Sequence, residues 1–176
     1  MARLQSAERV AIDTETTSLD PMLARLVGIS LSVQPGVACY IPVAHRGPDC
    51  AAQLSRVEVL ARMKPWLEDR RESKVLHHAK YDTHVFANEG IDLQGVADDT
   101  MLQAYVLESH RGVSLHDLSQ RILGVKGLTY EELCGKGVHQ IGFDEVDLDR
   151  ATQYACEDAD YTLRLHLALR PQIQAD

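Results

Sequence analysis

The chain has 176 residues, a formal net charge of −8, 45% hydrophobic and 25% charged residues, which suits one domain burying about 70% of its unfolded surface. Its apolar stretches are too short to span a bilayer, MARLQSAERV offers no apolar run for a secretory signal, and Cys39, Cys50, Cys134 and Cys156 form no CxxC pair, so free thiols in a reducing cytoplasm are expected. The acidity argues against a basic DNA-coating protein, but a nucleic-acid enzyme that holds metals through carboxylates contributes such acidity itself.

Residues 9–13 (RVAID) read as a buried strand running into an acidic pair. Residues 26–34 and 37–43 alternate apolar with small or polar side chains around Pro35-Gly36, which predicts a hairpin. Residues 54–68 carry apolar positions at helical spacing, with Pro65 obscuring the end. A short strand is expected over 73–78, then a helix from about Lys80 to Asn88 that stops at Gly90. Beyond it the pattern is helical at 100–108 and 115–123, loop-like through the glycine-rich 124–143 with a turn of helix at TYEEL, and helical again over 147–169. This order predicts an α/β fold with a mixed sheet flanked by helices.

Three segments concentrate acidic residues: Asp13-Thr-Glu15, Asp82 closing HHAKYD, and Tyr154 to Asp158 in YACED. Asp13 and Glu15 stand at i and i+2, on one face of a strand, while Tyr154 and Asp158 stand at i and i+4, on one face of a helix. Like charges buried together without a partner cost on the order of 3 kcal/mol or more. A bound cation is the economical explanation, and hard oxygen ligands favour Mg²⁺ or Mn²⁺ over Zn²⁺.

With these motifs in this order, the chain resembles the proofreading 3′→5′ exonuclease domain family of bacterial DNA polymerase I. These are DEDD exonucleases with a tyrosine in the third motif. Asp13 and Glu15 match D-x-E, Asp82 matches the second motif, and Tyr154 with Asp158 matches Y-x-x-x-D. Stretches such as LVGISLSVQPGVACYIPVAH, KYDTHVFANEGIDLQG and EDADYTLRLHL extend the likeness over nearly the whole chain. The resemblance implies a ribonuclease H-like fold and hydrolysis of the terminal phosphodiester of DNA assisted by two Mg²⁺ or Mn²⁺ ions. It implies Asp13, Glu15, Asp82 and Asp158 as metal ligands, and Tyr154, with Glu15, as the group orienting the attacking water. It also implies Leu19 as a wedge against the terminal bases, with His77, His78 and Tyr81 at the substrate. The implied partners are a single-stranded or frayed 3′ end and the polymerase portion of the same parent chain, residues 1–176 being one exonuclease domain of it. A ribonuclease D-like RNA-trimming enzyme shares the motif set, and a catalytically silent exonuclease fold is the reading from another class.

The chain departs from the family at His77-His78, where an amide pair is usual; an imidazole replaces an amide donor with a titratable group. Zinc ligation by this pair is not expected, because successive strand residues face opposite ways. Lys80, Arg111, Lys126 and Lys136 are candidate phosphate contacts and equally candidate solvated side chains. Glu157 and Asp160 fall off the Tyr154 face and are expected at the surface.

Overall fold

The apolar run before Asp13 does form a strand, and that strand becomes the centre of the sheet. In the computed structural model, which describes residues 1–47, 50 and 53–175, β1 (Val10–Thr16) lies between antiparallel β2 (Leu26–Gln34) and parallel β4 (Lys74–Leu76). Outside them, β3 (Val37–Pro42) pairs antiparallel with β2 and β5 (Val96–Asp99) pairs parallel with β4, for an order β3-β2-β1-β4-β5. The fold is therefore α/β with a mixed sheet, as expected. The β2–β3 turn follows from its residues, since Gly36 takes φ 78°, a left-handed value that glycine adopts without steric cost.

Two layers of helix cover the sheet. Val10, Ile12, Ile29 and Leu31 point to one face, where they pack with Met63, Trp66, Val85 and Phe86 of α2 (Arg56–Leu67) and α3 (Ala79–Asn88). The other face receives α7 (Leu148–Ala175), which crosses β1, β2 and β3. Ala151, Ala155 and Ala159 are fully buried along it; their i, i+4 spacing gives α7 a smooth small-residue stripe that lets it lie close to the strands. Between β5 and α7 the chain forms α4 (Thr100–Leu107), the short α5 (Leu115–Leu118) with a π-helical turn at Ser119–Leu123, and α6 (Tyr130–Cys134). Helix α6 is the turn expected at TYEEL, and Thr129 and Glu132 close it with a reciprocal capping box.

Two expectations are corrected. Asp160 is buried rather than at the surface, because its carboxylate accepts the Gly36 N–H at 2.6 Å and pairs with Arg164 at 3.3 Å, so it pins the β2–β3 turn to α7. Glu157 is half-buried and accepts the Leu128 N–H at 2.9 Å, holding the loop before α6. Strand β5 and the N-terminal helix α1 (Ala2–Ser6) were not foreseen. Helix α2 runs through Pro65 to Leu67, and α7 runs through Pro171 to Ala175, beyond the expected 169. All four cysteines are unpaired. Among the described residues no helix is long and apolar enough to cross a membrane.

Candidate active site

The sheet register decides what lies beneath the acidic pair. Asp13 stands opposite Ser30, which stands opposite Tyr40; one row on, Glu15 stands opposite Gly28 and Gly28 opposite Pro42. Residues opposite one another share a face, so Asp13, Glu15, Ser30 and Tyr40 all rise towards α7. Gly28 makes room in this floor: a Cβ there would run into the Tyr40 ring. Tyr40 is held from the other end by His45, whose Nε2 lies 2.8 Å from the phenol oxygen. Burial pushes the Tyr40 phenol pKa upward, and the neighbouring Glu15 and Asp13 carboxylates push it further. Gly28→Ala is expected to dislodge that ring and cost about 1–3 kcal/mol, the usual penalty for overpacking, measured by chemical denaturation against the wild-type chain.

Helix α7 brings the third motif down onto this floor. Carboxylate oxygens of Asp13, Glu15 and Asp158 all lie within 4.8 Å of one another. Tyr154, one turn before Asp158, packs its ring against Phe143 at 5.9 Å between centroids. Burial first, and then Asp158, Glu15 and Asp13, raise the Tyr154 pKa, so the phenol keeps its proton and serves as a hydrogen-bonding group.

Asp82 arrives from the opposite layer. It sits in the first turn of α3 and accepts a 2.5 Å hydrogen bond from the Thr14 hydroxyl. Thr14, between Asp13 and Glu15, faces the α3 side of the sheet while its neighbours face α7. One strand segment therefore fixes carboxylates from both layers. Asp82 lines the same cleft as the other three, a cavity of about 500 Å³, and lies outside the tight Asp13–Glu15–Asp158 group.

The rim carries the remaining predicted residues. Leu19, His77, His78 and Tyr81 all line this cleft. Leu19 is 86% exposed, on the loop after β1. Tyr81 fastens that loop, donating to the Ser18 carbonyl at 2.5 Å and hydrogen-bonding the Thr16 hydroxyl. His78 stacks on Tyr81 with ring centroids 6.2 Å apart. It also adopts a left-handed backbone, φ 67° and ψ 49°, as the residue before α3. Asn and His are both enriched among residues that tolerate this region, which accounts for a histidine where the family resemblance implies an amide. Asp99 secures the bend by accepting the His78 and Ala79 N–H groups at 3.1 and 2.8 Å. His77 turns away to Thr100, 2.8 Å distant, and burial lowers its pKa to about 4, so it is neutral. None of Lys80, Arg111, Lys126 and Lys136 lines the cleft; Arg111 pairs with Glu108 at 3.4 Å and Lys136 with Glu131 at 3.0 Å.

Sequence reasoning missed four contributors: Thr14, which holds Asp82, the cleft-lining Tyr130 and Leu115, and Tyr40. The period-2 signal places Thr14 opposite the acidic pair, but the identity of its partner needs the fold. Tyr130 and Leu115 come from the glycine-rich region and a short helix, where no periodicity marks a face.

The electrostatics match a cation site. Burial raises the pKa of Asp13 from 3.8 to about 7, and burial with mutual repulsion raises those of Glu15, Asp82 and Asp158 well above the usual carboxylate range. Glu15 Oε1 is buried without a hydrogen-bond partner. An all-oxygen donor set with an unsatisfied buried carboxylate oxygen fits a hard divalent cation.

Comparisons with known proteins agree with this geometry. The model of a family described as 3'-5' exonuclease matches residues 1–174. DNA polymerase I of Pseudomonas aeruginosa is 46% identical over 180 residues, covering 99% of this chain and 20% of that protein. DNA polymerase I of Chloroflexus aurantiacus is 39% identical over 176 residues, covering all of this chain and 18% of that one. The chain thus spans about a fifth of the length of these curated relatives. Among solved structures, the POL domain of Pol1 from M. smegmatis in complex with DNA primer-template and dNTP superposes with a TM-score of 0.73 at 23% identity, covering 99% of this chain and 25% of that one. Brucella melitensis NrnC superposes at 0.71 and 22% identity, covering 98% and 77%; at such identities these likenesses establish the ribonuclease H-like fold. The matched family, the motif order and the converging carboxylates make one identification: the chain belongs to the 3'-5' exonuclease family, in the form carried as a domain by bacterial DNA polymerase I.

Proposed function

We propose that this chain removes nucleotides one at a time from the 3′ end of DNA, by metal-assisted hydrolysis of the terminal phosphodiester, as the exonuclease part of a longer polymerase. The observation that carries the reading is the convergence of Asp13, Glu15 and Asp158 within 4.8 Å, with Asp82 on the same cleft. These four carboxylates would hold two Mg²⁺ or Mn²⁺ ions. Such ions supply activation of water and neutralisation of charge on the departing 3′-oxygen.

The protein's own groups do the rest. Tyr154, protonated at neutral pH because of its burial beside Asp158, holds the attacking water by hydrogen bonding, and Glu15 shares that task. Thr14 fixes the Asp82 carboxylate through its hydroxyl. Leu19, exposed above the cleft, wedges against the terminal bases, while Tyr81 and His78 form a stacked aromatic edge beside it. His77, neutral and turned to Thr100, supports the rim. RNA trimming is supported only by folds under 25% identical, such as Escherichia coli RNase D at 20%, whereas the relatives at 46% and 39% carry the name DNA polymerase I.

The test is degradation of 3′-labelled single-stranded DNA with Mg²⁺ or Mn²⁺, with EDTA and the matching RNA as controls. Single-stranded and mispaired 3′ ends are expected to be cut faster than paired ones. Each base-pair step that must open costs about 1.4 kcal/mol, roughly tenfold in rate. Equal rates on blunt matched duplex and single strand would count against an editing role.

A further inference from the structure

Beyond the acidic cleft, three arginines meet at one cavity. Arg25, Arg46 and Arg56 line a pocket of about 400 Å³ together with Thr17 and Asp144. In a chain of net charge −8, this is a local excess of positive charge. Arg46 binds Asp144 through Nε at 2.5 Å and Arg56 binds Glu89 through one terminal nitrogen at 2.7 Å. Each guanidinium keeps further donors, since five N–H groups are available in all, and their side chains remain 67% and 39% exposed. Arg25 has no ion pair among the described residues. Its backbone is fixed by Thr17, which donates its N–H to the Arg25 carbonyl at 3.1 Å and accepts the Arg25 N–H at 3.2 Å.

The pocket adjoins the catalytic cleft. Thr16 lines the cleft and Thr17 lines the pocket, and the loop closed by Thr17 and Arg25 carries Leu19 between them. Without bound cations an acidic floor repels a polyanionic strand, so cationic contacts outside the floor strengthen its binding. Guanidinium groups with spare donors suit phosphate oxygens, which they engage bidentately. Arg56 also opens α2, whose cap Ser55 makes no side-chain cap bond, so the positive end of that helix adds to the field.

We propose that the Arg25–Arg46–Arg56 pocket is a second phosphate-binding site, which grips a phosphodiester of the substrate strand on the far side of the Leu19 loop from the acidic floor. The proposal rests on the nuclease reading, and its ligand is a phosphodiester within a strand. Arg25 is the residue to change, because Arg46 and Arg56 hold carboxylates whose release would disturb the fold.

The experiment measures binding of a labelled single-stranded oligonucleotide in EDTA across a range of NaCl concentrations, for wild type, Arg25→Ala, Arg25→Glu and Arg25→Lys. Arg25→Ala is expected to weaken binding about three- to tenfold at low salt and to reduce the steepness of the log–log salt plot by roughly 0.7, the loss of one single-strand phosphate contact. Arg25→Glu should weaken it further and Arg25→Lys should restore most of it. Hydrolysis of a dinucleotide with Mg²⁺ should be unchanged in all three, because its one phosphodiester occupies the acidic cleft. Wild-type affinity and salt slope in both Arg25→Ala and Arg25→Glu would overturn the proposal. Inorganic phosphate at constant ionic strength should narrow the difference, because the free anion competes for the same guanidinium donors. A wild-type chain that binds the strand through Arg25 yet cuts nothing would refute the nuclease reading and leave the pocket standing.

Discussion

Asp158→Asn is expected to abolish degradation of single-stranded 3′ ends, lowering kcat/KM on the order of 10⁶-fold, the lower end of enzymic rate accelerations. The change removes one of the three carboxylates that lie within 4.8 Å of one another and leaves the packing of α7 alone, since Ala151, Ala155 and Ala159 set that helix against the sheet. Circular dichroism should therefore match wild type while turnover is lost. A folded Asp158→Asn protein with near wild-type cleavage would remove the acidic cluster from the mechanism.

Without metal, the stability gained by Asp13→Asn is expected to grow as pH rises from about 4 to 7. An unfolded Asp titrates near 3.9, whereas burial lifts folded Asp13 to about 7. Between those values the folded state holds a proton that the unfolded state has released, so wild-type stability falls as pH rises through the window. At about 1.4 kcal/mol for each pH unit separating the two states, Asp13 alone accounts for on the order of 4 kcal/mol. Buried histidines pull the other way: His45, His77 and His166 all have lowered pKa values, so their contribution is lost as pH falls. The difference between wild type and Asp13→Asn in EDTA cancels that background. Urea midpoints across the range read it out, and added Mn²⁺ should stabilise wild type more than the variant. A difference that stays constant with pH would mean that burial does not raise the Asp13 pKa in the folded chain.

Much of this site is legible from local pattern. Alternation put Asp13 and Glu15 on one strand face, the hairpin bounds follow from Pro35-Gly36, and the i, i+4 spacing set Tyr154 above Asp158. What was missed depends on neighbours remote in sequence. Asp160 points off the Tyr154 face as the helical wheel says, but the β2–β3 turn covers it there. Strand β5 has four residues, half-buried or exposed, too few for a period to show; it exists because β4 offers it a ladder. The Thr14–Asp82 bond spans 68 residues and follows only once β4 lies parallel to β1 and α3 returns over the sheet end. His78 looks like an anomaly when set against the amide expected there and ordinary once its backbone is seen to be left-handed.

The central place of β1 makes the chain unequally sensitive to changes in its length. Both edges of β1 are paired, to β2 and to β4, and its two faces carry unlike cargo: Asp13 and Glu15 towards α7, Ile12 and Thr14 towards α3. Deleting one residue within Val10–Thr16 exchanges those faces, turning carboxylates into the apolar layer and isoleucine into the cleft. The same deletion in the Leu19 loop shortens a surface connection and leaves the ladder in register. A library of single-residue deletions should therefore read as a map of the site: a folded protein with altered contacts to the strand end along the loop after Thr17, and loss of activity across the positions of the β1 strand.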